Sequence, residues 1–203
     1  MSVYHLKSRF QNILRPLVRR LAAGGVTANQ VTFLAAAISV ALGLFLCFAP
    51  HRHWFLLIPI WFLLRMGLNA IDGMLAREHG QKSILGAYLN EISDIISDAA
   101  LYLPFALIDP AGLLPALAVI FLSMLTEFTG VLGQTVGASR RYDGPLGKSD
   151  RAVLFGAFGI FVGSGGTFAA WMSWLWALVA LLLLWTVVNR IRAGIHEART
   201  TAR

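Results

Sequence analysis

Apolar residues fall in long blocks at about 30–49, 54–76, 87–108, 111–136, 152–168 and 170–189. Each block approaches the ~20 residues needed to cross the hydrocarbon core of a bilayer, so the pattern predicts six transmembrane helices. The segment before them is different. Over 4–21, Tyr4, Leu6, Phe10, Ile13, Leu14, Leu17, Val18 and Leu21 recur at helical spacing with basic residues between them. That pattern predicts an amphipathic helix lying in the membrane interface. Ala22-Ala23-Gly24-Gly25 ends it, and Thr27 and Asn29 are candidate caps for the next helix. Turns are expected at Pro50-His51-Arg52-His53, Asp109-Pro110 and Gly163-Ser164-Gly165-Gly166-Thr167, with longer polar connections near 77–86 and 137–151. The expected architecture is an all-α integral membrane protein: a single membrane domain over 1–203, with an interfacial helix at 4–21, a six-helix bundle over about 30–190 and a cytoplasmic tail at 191–203.

Composition agrees with this pattern. Hydrophobic residues make up 57% of the 203 and charged residues 13%, with a mean hydropathy of +0.68. Soluble domains carry about 25% charged residues, so a soluble globular protein and a disordered chain are both excluded. Of the 17 Lys and Arg, all but Arg52 and Arg65 lie in segments that six spans place on one side. The positive-inside rule makes that side cytoplasmic, with both termini there. The net charge of +7 is then explained by orientation toward anionic lipid, without nucleic acid. The basic N-terminal stretch lacks the apolar core of a leader peptide, so it is expected to be resident structure. Cys47, the single cysteine, excludes an internal disulfide and a thiolate metal cluster. No internal repeat is visible, which weighs against an inverted-repeat transporter.

The chemistry concentrates between Asn69 and Asp98. At ~100° per residue, Asn69, Asp72, Gly73 and Ala76 share one helix face, and Asn90, Asp94 and Asp98 share another. The short connection predicts antiparallel neighbours, so the two polar faces meet near the cytoplasmic boundary. An Asp within a span costs about 2.5–3.5 kcal/mol on insertion scales. Three of them call for a compensating partner, and an all-oxygen donor set suits a hard divalent cation such as Mg²⁺ or Mn²⁺.

This stretch resembles the signature of the CDP-alcohol phosphotransferases, Asp-x2-Asp-Gly-x2-Ala-Arg-x8-Gly-x3-Asp-x3-Asp. Every spacing matches, and six of the eight positions match in identity: Asp72, Gly73, Ala76, Arg77, Gly86 and Asp94. Thr27-Ala28-Asn29-Gln30-Val31-Thr32 is similar to the family's entry to its first span, and the wording of the later Gly-Pro-x-Gly-Lys-Ser-Asp-Arg-Ala is closest to one bacterial subgroup. The first and third family aspartates are Asn69 and Asn90 here. The resemblance implies transfer of a phosphatidyl group from CDP-diacylglycerol to an alcohol, with release of CMP, at the cytoplasmic face of the inner membrane. It implies one or two Mg²⁺ or Mn²⁺ ions on Asp72, Asn69, Asn90, Asp94 and Asp98, with Asp94 as general base. Glu91 and Asp98 are candidates to restore the charge lost at the two Asn. Gly73, Ala76, Arg77, Gly86 and Thr32 are expected to hold the nucleotide and diphosphate, and a homodimer is expected.

The connection from Arg140 to Arg151 is either a positive-inside loop or an anion site for the acceptor, with Arg141, Lys148 and Arg151 as its contacts and a phosphorylated polyol as a fitting acceptor. Ser149 is a candidate cap for the helix that follows. Arg65, within a span, is expected to face the site or to pair with an acid on another helix, with Glu127 beside Thr126 as the candidate partner. Trp171, Trp174 and Trp176 are read as interface anchors. His51 and His53 lie in the opposite loop, away from the carboxylates, so no zinc site is expected. The competing readings are a catalytically inactive CDP-lipid-binding member, a small transporter, and an intramembrane prenyltransferase, whose second Asp-rich motif is missing from 137–151.

Overall fold

The computed structural model describes residues 3–108, 112–169 and 172–201, and all regular structure among them is helical. The helices are α1 (Val3–Ala23), α2 (Ala28–Phe48), α3 (Leu57–Glu78), α4 (Ile84–Ile108), α5 (Leu113–Leu132), α6 (Lys148–Gly163) and α7 (Met172–Thr201). Short 3₁₀ turns at Arg52–Leu56 and Gly133–Val136 lead into α3 and extend α5. The expected turn at Asp109-Pro110, and Trp171, lie outside the described residues.

Four helical stretches are long and apolar enough to cross a bilayer: Ala28–Phe48, Arg52–Glu78, Leu113–Val136 and Met172–Thr201. The other two expected spans fall short for separate reasons. Helix α4 carries Glu91, Asp94 and Asp98, too many charges for an apolar span. Helix α6 has 16 residues, about 24 Å at 1.5 Å per residue, against a hydrocarbon core of about 30 Å. Outward faces are apolar in the manner of lipid-facing surface: Phe33, Leu63, Leu64, Phe121, Phe128 and Leu181 are all more than half exposed.

The helix ends follow from local chemistry. Gly25, at φ +78°, closes α1 in the left-handed conformation that a side chain would resist. The Val26 N–H then reaches the Leu21 carbonyl and the Gly25 N–H that of Ala22, a Schellman end. Thr27 caps α2 through a reciprocal pair: its hydroxyl accepts from the Gln30 N–H at 3.2 Å, and the Gln30 amide oxygen accepts from the Thr27 N–H at 2.9 Å. Asn29 is thus inside the first turn and is not the cap. Ser83 accepts the Gly86 N–H at 2.9 Å, which starts α4 three residues before the apolar block. Gly147, not Ser149, precedes α6, with the Asp150 carboxylate accepting its N–H at 2.9 Å. Helix α7 runs on through the segment read as a tail, to Thr201.

The chain forms two compact units. The first comprises Met1–Ala41 and Ile60–Ser97. Its core is Val18, Ala28, Val31, Ile71, Met74 and Leu75, with Leu14, Leu21, Val26 and Leu68 against it. Polar ties reinforce it. Gln81 bridges the α1–α2 junction, accepting from the Ala28 N–H at 2.7 Å and donating to the Val26 carbonyl at 3.3 Å. Trp61 donates to the Ser39 hydroxyl at 2.9 Å, and Arg15 pairs with Glu78 at 3.0 Å.

The second unit comprises Leu42–Pro59 and Asp98–Arg203. In it α5 packs along α7, and α6 packs on the 3₁₀ turn at Arg52–Leu56. An aromatic cluster fills the interior. Tyr102 stacks on Phe155 with ring centroids 3.7 Å apart, and Phe105, Phe158 and Trp176 surround Phe155. Trp176, 1% exposed, is therefore core rather than an interface anchor, while Trp174 is 81% exposed. Gly144, at φ +124°, lets the 139–147 segment approach α7 so closely that a Cβ would sit 2.6 Å from Thr186.

Phe155→Ala empties the middle of this cluster. We expect it to cost about 3–5 kcal/mol, read as a lowered unfolding midpoint of the detergent-solubilised protein; an unchanged midpoint counts against this core.

Candidate functional site

In the first unit, α2, α3, the 79–83 connection and the start of α4 enclose a cavity of about 340 Å³. Its walls include Thr32, Asp72, Gly73, Ala76, Arg77, Gly86 and Asn90, seven of the residues singled out from sequence. Asp72, 6% exposed, is held by the Thr32 hydroxyl, which donates to its Oδ2 at 2.8 Å. The Ala28 carbonyl, 3.1 Å from the same hydroxyl oxygen, is the alternative acceptor for its one proton, and the shorter bond lets a single side chain on α2 fix a carboxylate on α3. Glycine supplies room at two points. A Cβ on Gly73 would lie 3.0 Å from the Arg77 guanidinium, which folds back over that position. A Cβ on Gly86 would lie 2.8 Å from the Asn29 side-chain oxygen and 2.9 Å from the Ser83 hydroxyl. The cavity is thus lined by a carboxylate, a guanidinium, amides and hydroxyls around small residues. That composition suits a polar, phosphate-bearing ligand that approaches the backbone closely.

Asp94 and Asn69 form a second cluster of the same unit. Arg65, 4% exposed near the middle of α3, donates to the Asp94 carboxylate at 3.1 Å and to the Asp94 carbonyl at 3.2 Å. The Asn69 amide donates to the same carboxylate oxygen at 3.5 Å. Arg65 therefore pairs with an acid, as expected of a cation within a span, and that acid is Asp94.

Asp98 is placed differently from the expectation. In the second unit its carboxylate accepts from Arg151 at 3.1 Å. Arg151 also reaches Glu127 at 3.0 Å and the Thr126 hydroxyl at 3.0 Å. Arg140 pairs with Glu127 at 3.3 Å and Arg190 with Glu127 at 3.5 Å. Arg151 is 1% exposed, so it braces two carboxylates from inside instead of presenting itself to an acceptor. The cause is burial: its guanidinium is enclosed, and Asp98 and Glu127 need it as counter-charge. Arg141 is likewise engaged, by Asp143 at 2.9 Å and by Glu197. Partial burial works against the charge of Asp143, but the Arg141 guanidinium outweighs it and holds this carboxyl below the usual carboxylate range. Lys148, half-buried, opens α6.

A divalent cation can be tested against the donors present. Among the described residues no three His, Cys, Asp or Glu side chains gather as a metal cluster. The donors in the first unit that the sequence singles out are the Asp72, Glu91 and Asp94 carboxylates and the Asn69 and Asn90 amide oxygens, with Glu91 half-buried on α4. This all-oxygen donor set fits a hard ion of the Mg²⁺ or Mn²⁺ type.

Some cavity residues carry no obvious signal in the sequence. Gln81, Lys82 and Ser83 line it from within the unspecified spacer between Arg77 and Gly86. Asn29 reads as a cap. In the second unit, Arg190 reads only as a topology marker, although its place one turn beyond Thr186 hints at an inward face.

A family model described as CDP-alcohol phosphatidyltransferase matches residues 25–188. The chain is 46% identical over 196 residues to the inner membrane protein YnbA of Escherichia coli K12, covering 95% of this chain and 96% of that one. It is 28% identical over 195 residues to the phosphatidylinositol phosphate synthase of Corynebacterium glutamicum, covering 92% and 86%. In fold it is similar to crystal structures of the Mycobacterium tuberculosis phosphatidylinositol phosphate synthase. The CDP-DAG-bound form gives a TM-score of 0.74 at 21% identity, covering 92% of this chain and 94% of that one. The form in complex with manganese and citrate gives 0.73 at 22%, covering 88% and 87%.

Two outcomes follow from the second unit. Arg151→Met strands Asp98 and Glu127 and should cost about 3–5 kcal/mol; adding Asp98→Asn and Glu127→Gln should recover a large part in the same thermal assay. Asp143, depressed when folded, stabilises above the ordinary carboxylate pKa of about 3.9, and that stability is lost as pH falls through its folded value. Amide-exchange protection over 139–147, corrected for intrinsic rates, should therefore drop in acid, and Asp143→Asn should shrink that step to the part carried by Glu197, which accepts the Ser139 N–H.

Proposed function

The chain belongs to the CDP-alcohol phosphatidyltransferase family, and from that membership we propose how its own residues transfer a phosphatidyl group from CDP-diacylglycerol to an alcohol in phospholipid synthesis. The observation that carries the reading is the cavity: Asp72 bonded to Thr32, Arg77 folded over Gly73, and Gly86 beside Asn29 and Ser83. Asp72, Gly73, Ala76, Arg77, Gly86 and Asn90 of the family motif line this space.

In this reading the diphosphate lies against Arg77, a charge-assisted donor, and Gly73, Ala76 and Gly86 let the nucleotide approach the backbone, with Thr32 fixing Asp72. Asp72, Asn69, Asn90 and Asp94 are the residues that would hold a divalent cation. Bound there, Mg²⁺ or Mn²⁺ would supply charge neutralisation for the diphosphate and the departing CMP. Asp94 takes the proton of the acceptor hydroxyl. The acceptor oxygen forms a bond to the phosphatidyl phosphorus as the bond from that phosphorus to the CMP oxygen breaks, and the electron pair leaves with CMP. The basic segment that holds Arg141 and Lys148 supports an acceptor that itself carries phosphate, such as a phosphorylated polyol. Arg151 supports that segment from within.

The setting we propose is the inner membrane. Helices α4 and α6 complete six spans beside the four apolar stretches, with α1 lying in the interface. Both termini, the 191–203 segment and the reaction site are cytoplasmic, within one membrane domain that works as a homodimer. The distribution of Lys and Arg supports this orientation.

The test is CMP release by the purified protein given CDP-diacylglycerol, Mg²⁺ or Mn²⁺ and a panel of phosphorylated and plain polyols. CMP should appear with at least one acceptor and stop on chelation. Asp72→Ala and Asp94→Ala should each lower turnover by about 10²–10⁴-fold. Full turnover in both variants contradicts the site assignment, and nucleotide-lipid binding without CMP from any acceptor contradicts the activity.

A further inference from the structure

Arg65 is the strangest residue of the first unit. It lies near the centre of an apolar helix, 4% exposed. A cation there is stable only with a partner, and its partner is the residue read above as the proton acceptor. The contact has two parts: one guanidinium nitrogen reaches both the carboxylate and the backbone carbonyl of Asp94. Asn69 is one helical turn after Arg65 and bonds the same carboxylate oxygen. Asp94 is thus fixed from α3 by a cation and an amide, four residues apart on one face.

The charge count then matters. Asp72, Glu91 and Asp94 bring three negative charges, Asn69 and Asn90 bring none, and Arg77 over Gly73 and Arg65 next to Asp94 return two positive charges. One divalent ion already exceeds the remaining negative charge. A second would have to share Asp94 with a guanidinium 3.1 Å away, at a strong Coulombic cost in a site sheltered from water.

We propose that Arg65 is a built-in cation of the reaction site: it positions Asp94 and limits the site to one divalent ion, bound on the Asp72 side. The proposal rests on the reading of this site as a metal-assisted phosphatidyl transferase. It assigns Arg65 a task that a purely structural ion pair lacks, since it makes ion stoichiometry depend on a residue that is not itself a ligand.

The experiment is Mn²⁺ binding to the full chain in lipid nanodiscs, with and without CDP-diacylglycerol, counted by the loss of free-ion EPR signal. Wild type should bind one Mn²⁺ per chain. Arg65→Gln keeps a donor for Asp94 while removing the charge; it should bind a second Mn²⁺ or bind the first about tenfold tighter or more, with a reduced kcat. Arg65→Lys restores the charge and should return to one ion. Two ions on wild type, or an Arg65→Gln isotherm that overlays wild type, overturns the role of Arg65 and leaves the transferase reading standing. Absence of Mn²⁺ binding in wild type and Arg65→Gln alike, with nucleotide lipid present, sinks the metal-assisted reading and this proposal with it. If Arg65→Gln does not fold, Arg65→Met, which also removes the charge, goes through the same titration: a second Mn²⁺ or about tenfold tighter binding supports the role of Arg65, and an isotherm that overlays wild type overturns it.

Discussion

An ionised side chain in an apolar bundle has to find its opposite, and nearly every polar feature of this protein follows from that requirement. The chain is so poor in charge that each buried ion is a structural event. Glu127 is the clearest case. Three arginines from three different segments converge on its carboxylate, and one of them, Arg151, also takes Asp98. Helices α5, α6 and α7, the 139–147 segment and the second half of α4 are thereby linked through one acid. Hydrophobic burial cannot do this in lipid, because the tails are as apolar as the core; packing and polar contacts between helices carry the specificity instead.

The first unit solves the same problem with smaller means. Thr32 holds Asp72 with a hydroxyl, Arg65 holds Asp94 with a guanidinium, and Gln81 ties together a junction that would otherwise leave the Ala28 N–H and the Val26 carbonyl open. The polar cavity and the apolar exterior are two faces of the same helices, which is why α3 can be hydrophobic enough to cross a membrane and still present Asp72 and Arg65 inward.

Much of this was legible beforehand, for identifiable reasons. Helix positions follow from apolar blocks, and the motif between Asn69 and Asp94 has fixed spacing, so Asp72, Gly73, Ala76, Arg77, Gly86 and Asn90 were found in advance and do surround one space. Pairing was not legible. Asp94 and Asp98 are one turn apart in sequence and look equivalent, yet one is bonded by Arg65 and the other by Arg151, because each reports on a different packed unit. Loop charge was equally ambiguous: Arg151 reads as an available cation, and only tertiary contact reveals that two acids already claim it. Helix ends set by side-chain caps, such as Ser83 and Gly147, also lie beyond what periodicity can locate.

The contact between the 139–147 segment and α7 has a consequence for how the sequence can change. Thr186, Arg190 and Glu197 are separated by four and seven residues, so they form a single stripe along the helix. Thr186 accepts the Leu146 N–H, Arg190 reaches the Asp143 carbonyl, and Glu197 accepts from Ser139. A surface connection normally tolerates insertions; this one is locked to a helical phase. Losing one residue between Arg190 and Glu197 would rotate the end of the stripe by ~100° and detach the segment at its far anchor while the near ones held. Length variation is therefore barred where loops usually permit it, and divergence here has to proceed by substitution alone.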